Sequence, residues 1–488
     1  MDNPSILIDG TQLLQRRGTG IASYTGTLAR CLHSLGAKIN LLFGTNSHHK
    51  KGDPDFALAT QIFCHRPPPR RLSLMASVAL RSRLGLKRTV EAVEVLLHEV
   101  DLTFLDPPLP PFNRIFNADS VFDRVRAASI WGSPMATVVP PEKFAAHHWT
   151  GPVPLKSSNG PNLYTIHDLV PIQFPYLVID RPGNSARLHA AIARAADGII
   201  TVSETSKEKI VQILRVPPER VTVTYQPAPT PKPLPQEDAE WLVSQLYNLK
   251  PSSYALYLGA VEPKKNLRRL IEAFLLSKLE IPLIMAGPLG WLYDEEQELL
   301  AFIGQRYGHE VSAEFLAAKL GDRLRDRHGS ELKPNTTFHT RDLPVRHLGY
   351  LPRRHVTALL QCAKFFVFPS IYEGFGLPAL EAMQLNIPVL TSRTGSLCEV
   401  VGEAALLVDP LNIDDITRGL RQLDADCDLR AELARRGPVQ AAKFSEDNYV
   451  QRLKEAYRKV GVTFETPAGT RVSPVAQLHT PERQEART

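Results

Sequence analysis

Phe366-Val367-Phe368-Pro369-Ser370-Ile371-Tyr372-Glu373-Gly374-Phe375-Gly376-Leu377-Pro378-Ala379-Leu380-Glu381-Ala382-Met383 is the stretch whose reading decides the fold. Apolar residues 365–368 read as a strand, ended by Pro369-Ser370. A loop then presents Glu373, Gly374 and Gly376. Pro378 marks a helix start, where its fixed φ suits the first turn and its missing N–H costs nothing. Glu381 follows one turn in. Free amides and the positive dipole end at such a start suit a phosphate, which places Gly374, Phe375, Gly376 and Leu377 around it. Ionised carboxylates only accept hydrogen bonds, so Glu373 and Glu381 suit a partner rich in hydroxyls, with Glu373 reaching out from its loop. A nucleotide-sugar supplies both parts. The plainer alternative is an ordinary strand-to-helix turn with surface glutamates; the whole run at this spacing favours the ligand.

The strand–helix rhythm extends outward from this stretch. Short apolar runs at 254–258, 282–285, 345–350, 365–368 and 388–391 alternate with helices, which argues a parallel sheet covered on both faces. A longer polar stretch at 288–345, helical in its middle (293–327), reads as an insertion. Upstream, Pro227, Pro229, Pro231, Pro233 and Pro235 alternate with other residues as a stiff linker and domain boundary. Before it, strands are expected at 6–9, 38–43, 163–166, 198–202 and 221–225, and helices at 22–35, 185–196 and 206–214. Between them, 45–160 reads as an irregular insertion broken by Pro67-Pro68-Pro69 and by four prolines within 107–111. The expected division is an N-terminal domain over 1–230, a C-terminal domain over 231–450, a terminal helix over 451–466 crossing back, and a disordered tail over 467–488.

A chain of 488 residues suggests two to three domains, and 43% hydrophobic with 22% charged residues is ordinary for a soluble protein. Cys31, Cys64, Cys362, Cys398 and Cys427 are scattered, odd in number and without CxxC spacing, so they read as free thiols in a reducing compartment, with no zinc site. Met1-Asp2-Asn3-Pro4 leads straight into a strand and no apolar run approaches ~20 residues, so a cytoplasmic protein is expected. The net charge of +6 permits anionic partners. Arg66, Arg70, Arg71, Arg81, Arg83, Lys87 and Arg88 lie among leucines at roughly helical spacing. They form either a helix lying on the inner face of an anionic membrane or a packed helix with a solvated basic face. No nucleic-acid partner is expected.

The segment 366–383 closely resembles the motif of glycosyltransferase family 4, retaining enzymes of the GT-B fold with two Rossmann-like parallel-sheet domains facing across a cleft. The resemblance covers about 1–45 and 160–460. It implies that Glu373 contacts the donor sugar and Glu381 the ribose, and that the acceptor is a saccharide or lipid-linked saccharide bound by the first domain. Gly18-Thr19-Gly20-Ile21 resembles a family turn near the donor phosphates, with Gly20 the candidate. Glu262-Pro263-Lys264-Lys265-Asn266 resembles the family's phosphate motif, which makes Lys265 the β-phosphate ligand. An arginine found in some members stands here as Ala260, so Lys264 or another residue not identified from the sequence is expected to compensate. Tyr164-Thr165-Ile166-His167-Asp168 matches the segment whose histidine reaches the donor sugar, which assigns His167.

Thr201-Val202-Ser203-Glu204-Thr205-Ser206-Lys207 resembles a family segment whose commoner role is to cap the next helix. In Thr394-Gly395-Ser396-Leu397-Cys398-Glu399, Cys398 replaces a proline, and Glu399 either faces the nucleotide or caps a helix. Gly349-Tyr350-Leu351-Pro352 resembles the base-binding edge. Asp53-Pro54-Asp55 and Asp424-Ala425-Asp426 spell a metal-binding pattern of other transferases, but neither follows a strand, and no metal or cofactor is expected. The resulting expectation is a retaining, metal-independent hexosyltransferase that uses GDP-mannose or a UDP-sugar in polysaccharide or glycoconjugate biosynthesis. The rivals are a non-catalytic GT-B-like binding partner in a polysaccharide assembly complex, a GT-B epimerase or phosphorylase, and a dehydrogenase. The last lacks a full Gly-x-Gly-x-x-Gly.

Overall fold

Short strands, most of them buried and apolar at the centres of the sheets and more exposed over Thr89–Val95, Ala136–Val139 and Ala405–Val408, build two sheets. The computed structural model describes residues 3–14, 20–45, 89–95, 109–119, 121–122, 125, 135–179, 182–227, 232–290 and 344–464. In the first half these are β1 (Ser5–Asp9), β2 (Lys38–Phe43), β3 (Thr89–Val95), β4 (Arg114–Ala118), β5 (Ala136–Val139), β6 (Ala146–Trp149), β7 (Leu155–Ser157), β8 (Asn162–Thr165), β9 (Gly198–Thr201) and β10 (Val221–Val223). They run in the order β10-β9-β8-β6-β1-β2-β4-β3-β5-β7. Neighbours pair in parallel apart from β3 with β4.

The second half contains β11 (Ala255–Leu258), β12 (Leu283–Ala286), β13 (Val345–His347), β14 (Phe365–Phe368), β15 (Val389–Ser392) and β16 (Ala405–Val408). Their order is β13-β12-β11-β14-β15-β16, parallel throughout. The connections reverse direction between β11 and β14. In open α/β sheets such a switch point leaves a crevice at the carboxyl ends of the strands.

The helices that matter below are α1 (Gly20–Ser34), α2 (Val170–Gln173), α3 (Pro182–Ala195), α4 (Glu204–Leu214), α5 (Gln236–Tyr247), α6 (Leu267–Ser277), α7 (Arg353–Gln361), α8 (Leu377–Gln384), α9 (Leu397–Val401), α10 (Ile413–Ala425), α11 (Cys427–Ala441) and α12 (Glu446–Arg458). The side chain of Gln361 holds the backbone of Leu234 at 2.9 and 3.1 Å, so the end of the proline-rich linker lies on the second half. The chain then returns: in α12, the Tyr457 hydroxyl meets His148 Nδ1 at 2.7 Å, and beyond it Lys459 Nζ donates to Thr222 at 3.1 Å.

The expectation of an irregular 45–160 is corrected, because β3 to β7 lie inside it and β6 pairs with β1 near the middle of the sheet. Ala146-His147-His148-Trp149 hides this strand, since its polar residues are buried yet hydrogen-bonded. The strand β16 also escaped notice, and the run expected over 345–350 ends at His347. Residues 66–88, 293–327, Asp53, Asp55, Cys64 and the 467–488 tail lie outside the described residues. Among the described residues no helix is long and apolar enough to cross a membrane.

Candidate functional site

The site is built on the carboxyl ends of β11 and β14. After β11, a single helical turn (Pro263–Lys265) is tied to the loop after β14 by the backbone bond Ile371 N to Lys264 O, 2.8 Å. Asn266, at φ 61°, donates its side-chain amide to the carbonyls of Pro369 and Pro410. These ties place Lys265 Nζ 2.5 Å from Glu373 Oε1 and 4.8 Å above the Phe368 ring. Lys264 Nζ lies 3.7 Å from Glu262 and 4.0 Å from Glu373.

Burial pushes the Glu373 carboxyl up, but Lys265 and Lys264 outweigh it and hold the group below its usual range. Burial likewise lowers Lys264, yet Glu373, Asp168 and Glu262 together raise it above an ordinary lysine. Glu262 goes the other way, its burial exceeding the effect of the two lysines. Lys264 therefore stays charged in a pocket that excludes much of the water. The expectation that Glu373 reaches outward is corrected: it is buried, already ion-paired to the lysines.

The glycine loop owes its sequence to close approaches. A Cβ on Gly374 would stand 2.6 Å from the carbonyl of His167, in the other half. Gly376 takes φ 108° as it leads into α8, where a Cβ would also strike Leu397 at 2.6 Å. No side chain caps that helix. Leu377 is its first residue. Phe375, expected at the donor, packs its ring instead between Tyr225 and Phe444, at 6.3 and 5.5 Å, so only its backbone is left for a ligand. Glu381, further along α8, accepts from Arg353 at 2.9 Å, and its burial still raises the carboxyl. Arg353 escaped the sequence reading, although it opens the helix directly after the expected base-binding edge at 349–352.

From the first half, His167 follows β8 and bonds the carbonyl of Thr150 through Nε2 at 3.0 Å. Its ring stands edge-on to Tyr24, 4.8 Å away. Burial lowers its pKa, and the charge of Lys264 adds to that, so the ring is neutral. Since the Thr150 carbonyl can only accept, Nε2 carries the proton and Nδ1 is left as an acceptor. Behind it, Asp9 at the end of β1 accepts from the Thr150 N–H and hydroxyl at 2.7 and 3.1 Å. Gly20 opens α1 with open space where its Cβ would be, so no packing demand explains a glycine there. Gly18 and Thr19 lie outside the described residues.

Within the first half the Ser206 hydroxyl donates to His167 O at 3.0 Å. Further contacts join the halves, among them Phe174, which lies 5.2 Å from Tyr372. Glu399 receives the N–H groups of Glu204 and Thr205, the start of α4, at 2.9 and 3.2 Å. Capping is thus what Glu399 does, but on a helix of the opposite half. Ser203 caps α4 as well, accepting from Ser206 N at 3.0 Å. The Asp424-x-Asp426 pair is occupied at helix ends: Asp424 accepts from Lys364, and Asp426 caps α11.

Residues 341–440, which carry the glycine loop, Arg353 and Glu399, match the model of "Glycosyl transferases group 1". The O-antigen chain mannosyltransferase B of Escherichia coli is 33% identical over 317 residues, 62% of this chain and 73% of that protein. This chain belongs to the group 1 glycosyltransferases. The serotype-specific mannosyltransferase WbdA of Escherichia coli is 27% identical over 337 residues, of which this glycosyltransferase spans only 37% of the length. Among solved structures, sucrose-phosphate synthase from Thermosynechococcus elongatus superposes over 94% of this chain and 99% of its own, at TM-score 0.57 and 16% identity. Anabaena HepE in complex with UDP and glucose does so over 93% and 99%, at TM-score 0.53 and 16% identity. At such identities the likeness concerns fold alone, and the fold is GT-B.

Proposed function

We propose that this glycosyltransferase moves a hexose, with mannose favoured, from a nucleoside-diphosphate sugar such as GDP-mannose or a UDP-sugar to a saccharide or lipid-linked saccharide acceptor, with retention at the anomeric carbon and without a metal. The observation that carries the reading is the buried Lys264–Lys265–Glu373 cluster facing His167 across the cleft. The mannosyltransferases among the relatives favour mannose.

The diphosphate takes the two lysines, whose charge is worth more as the bond between the anomeric carbon and the β-phosphate oxygen breaks. Glu373, released from part of its ion pairing, accepts hydrogen bonds from the sugar hydroxyls. Glu381, held by Arg353, takes the ribose hydroxyls. His167 offers Nδ1 to the sugar from the opposite wall. Gly20 and the loop from Gly374 to Leu377 let backbone approach the phosphates. The acceptor oxygen bonds to the anomeric carbon on the face the phosphate leaves, and its proton passes to the departing phosphate oxygen.

The basic stretch containing Arg70, Arg71, Arg81 and Arg83 supports loose, peripheral contact with an anionic inner membrane surface, each charge there being worth ~1 kcal/mol. Anionic liposomes should retain the protein at low salt and release it at high salt.

A thermal-shift series with GDP-mannose, UDP-glucose and ADP-glucose tests the donor. Ligand at a hundred times its Kd stabilises by about 2.7 kcal/mol, so one nucleotide class should raise Tm clearly. Release of nucleoside diphosphate on adding a mannose oligosaccharide tests transfer. A protein that binds a donor but never releases nucleotide would be a binding partner rather than an enzyme.

A further inference from the structure

The segment after His167 carries aromatic side chains that the donor site leaves unused. Beyond α2, Phe174 stands 5.2 Å from Tyr372, the residue before Glu373, and 6.3 Å from Tyr176 in an edge-to-face pair. Tyr176 is 69% exposed, beside an equally exposed Ile179. Tyr372 is its opposite, 5% exposed, with a hydroxyl that has no hydrogen-bond partner. Gln173 Oε1 is also buried and without a partner. Buried phenols and amides nearly always find partners, so two orphans beside one aromatic row mark a place where an absent polar ligand completes the structure.

We propose that Tyr176, Phe174 and the Tyr372 hydroxyl form a subsite for the saccharide acceptor. An apolar C–H face of the sugar lies on the exposed Tyr176 ring, and one sugar hydroxyl pairs with Tyr372. This rests on the glycosyl-transfer reading above and extends it to the acceptor. A hexopyranose has the two-sided character the row demands, one face apolar and the rim rich in hydroxyls. A purely apolar ligand would cover the rings and leave both polar groups unpaired, at the cost of their desolvation. Burial, aided by the nearby charge of Asp168, pushes the Tyr372 phenol up to about 12, so it keeps its proton and can donate as well as accept. One aromatic ring separates Tyr176 from Tyr372, a span that a disaccharide covers, and the inner end of the row is covalently next to Glu373.

The test is calorimetric titration of mannobiose into the protein saturated with GDP or UDP, whichever binds, for the wild type, Tyr176→Ala, Tyr176→Phe and Tyr372→Phe. Tyr176→Ala should weaken mannobiose about tenfold, a loss typical of a stacked ring, while Tyr176→Phe restores it. Tyr372→Phe keeps the buried ring and removes only the hydroxyl, and it should weaken mannobiose several-fold. The Kd for the nucleotide should be the same in all four proteins. Equal mannobiose affinity in the four, or no mannobiose binding by a wild type that still binds nucleotide, would overturn the subsite. Nucleotide affinity falling together with mannobiose affinity in Tyr372→Phe would move that hydroxyl to the donor. A wild type that binds neither GDP nor UDP would sink the donor reading itself, and the subsite with it.

Discussion

Lys265 Nζ and Glu373 Oε1 stand 2.5 Å apart, with their side chains only 12% and 8% exposed. Each is the other's counter-charge in a place where little water can substitute. A ligand that brings its own negative charge to Lys265 therefore changes the state of Glu373 as well. On the proposed reading the resting ion pair holds the place of the diphosphate, and the two residues act as a unit.

Lys265→Ala should slow sugar transfer more than it weakens nucleotide. Losing one preorganised charge that acts on the transition state typically costs about a hundredfold or more in kcat. Kd for the free nucleoside diphosphate, measured by titration, should change by about tenfold at most. Turnover at the wild-type rate would pass the role to Lys264.

Glu373→Ala should lower stability as well as activity, because it strands Lys265 in a partly dry pocket and leaves Lys264 to its partner Glu262. Removing one partner of a buried pair costs about 3 kcal/mol or more. Denaturant unfolding should show much of that loss returning in the double variant Lys265→Met/Glu373→Ala, which remains inactive. An unchanged midpoint in Glu373→Ala would mean that the carboxylate is solvated and the pairing weak.

Glu381→Ala should weaken nucleoside diphosphate binding about tenfold. The effect on folding should be small, since its partner Arg353 is half exposed and can turn to solvent. Nucleotide affinity equal to the wild type would remove Glu381 from the ribose.

What the sequence made legible follows from how local each signal is. Residues 366–383 carry strand, loop, helix and carboxylates in one continuous run, so spacing alone placed them. Glu262 to Asn266 is local in the same way. The pairing of Lys265 with Glu373 depends instead on β11 lying beside β14, and no local pattern reports that. Arg353 and Glu399 likewise acquire their partners from other elements, 28 and 195 residues away. The strand β6 stayed hidden because buried His147 and His148 carry a polar code in an apolar place. Phe375 misled for the converse reason: it sits within the motif, but its ring belongs to the core.

His148 bonds Tyr457 and Thr165 through its two ring nitrogens, and burial, with His167 adding to it, lowers its pKa from 6.5 to about 3. Below pH 6.5 the unfolded chain takes up a proton there that the folded chain refuses until about pH 3. This contribution to stability is therefore present above pH 6.5 and is lost as pH falls, by about 1.4 kcal/mol per unit. Asp9, raised to about 6 by burial, acts with the opposite sign, so the total slope mixes both. The difference between wild type and His148→Gln isolates the histidine. Between pH 7 and pH 5 the variant should gain about 2 kcal/mol on the wild type in denaturant unfolding. Parallel curves would mean that His148 titrates normally.

Glu399 reaches from α9 to the first two amides of α4, and the Thr205 hydroxyl donates to the same carboxylate at 3.2 Å. A carboxylate at a helix N-terminus is favoured by the dipole and by charge-assisted bonds worth about 1.5–3 kcal/mol each, net of competition from water. The bonds cross from the second half to the first, so they tie the two halves together at a point apart from the Lys265–Glu373 pair. Glu399→Ala should leave each half folded and shift the population toward an open cleft, seen as a larger radius of gyration in solution scattering. On the proposed reading the second half holds the nucleotide while His167 and the acceptor side close against it, so kcat should fall while the nucleotide Kd holds. Glu399→Gln keeps an acceptor oxygen without the charge and should lie between the two. An unchanged radius with unchanged kcat in Glu399→Ala would show that the Gly374–His167 and Phe174–Tyr372 contacts suffice to close the cleft.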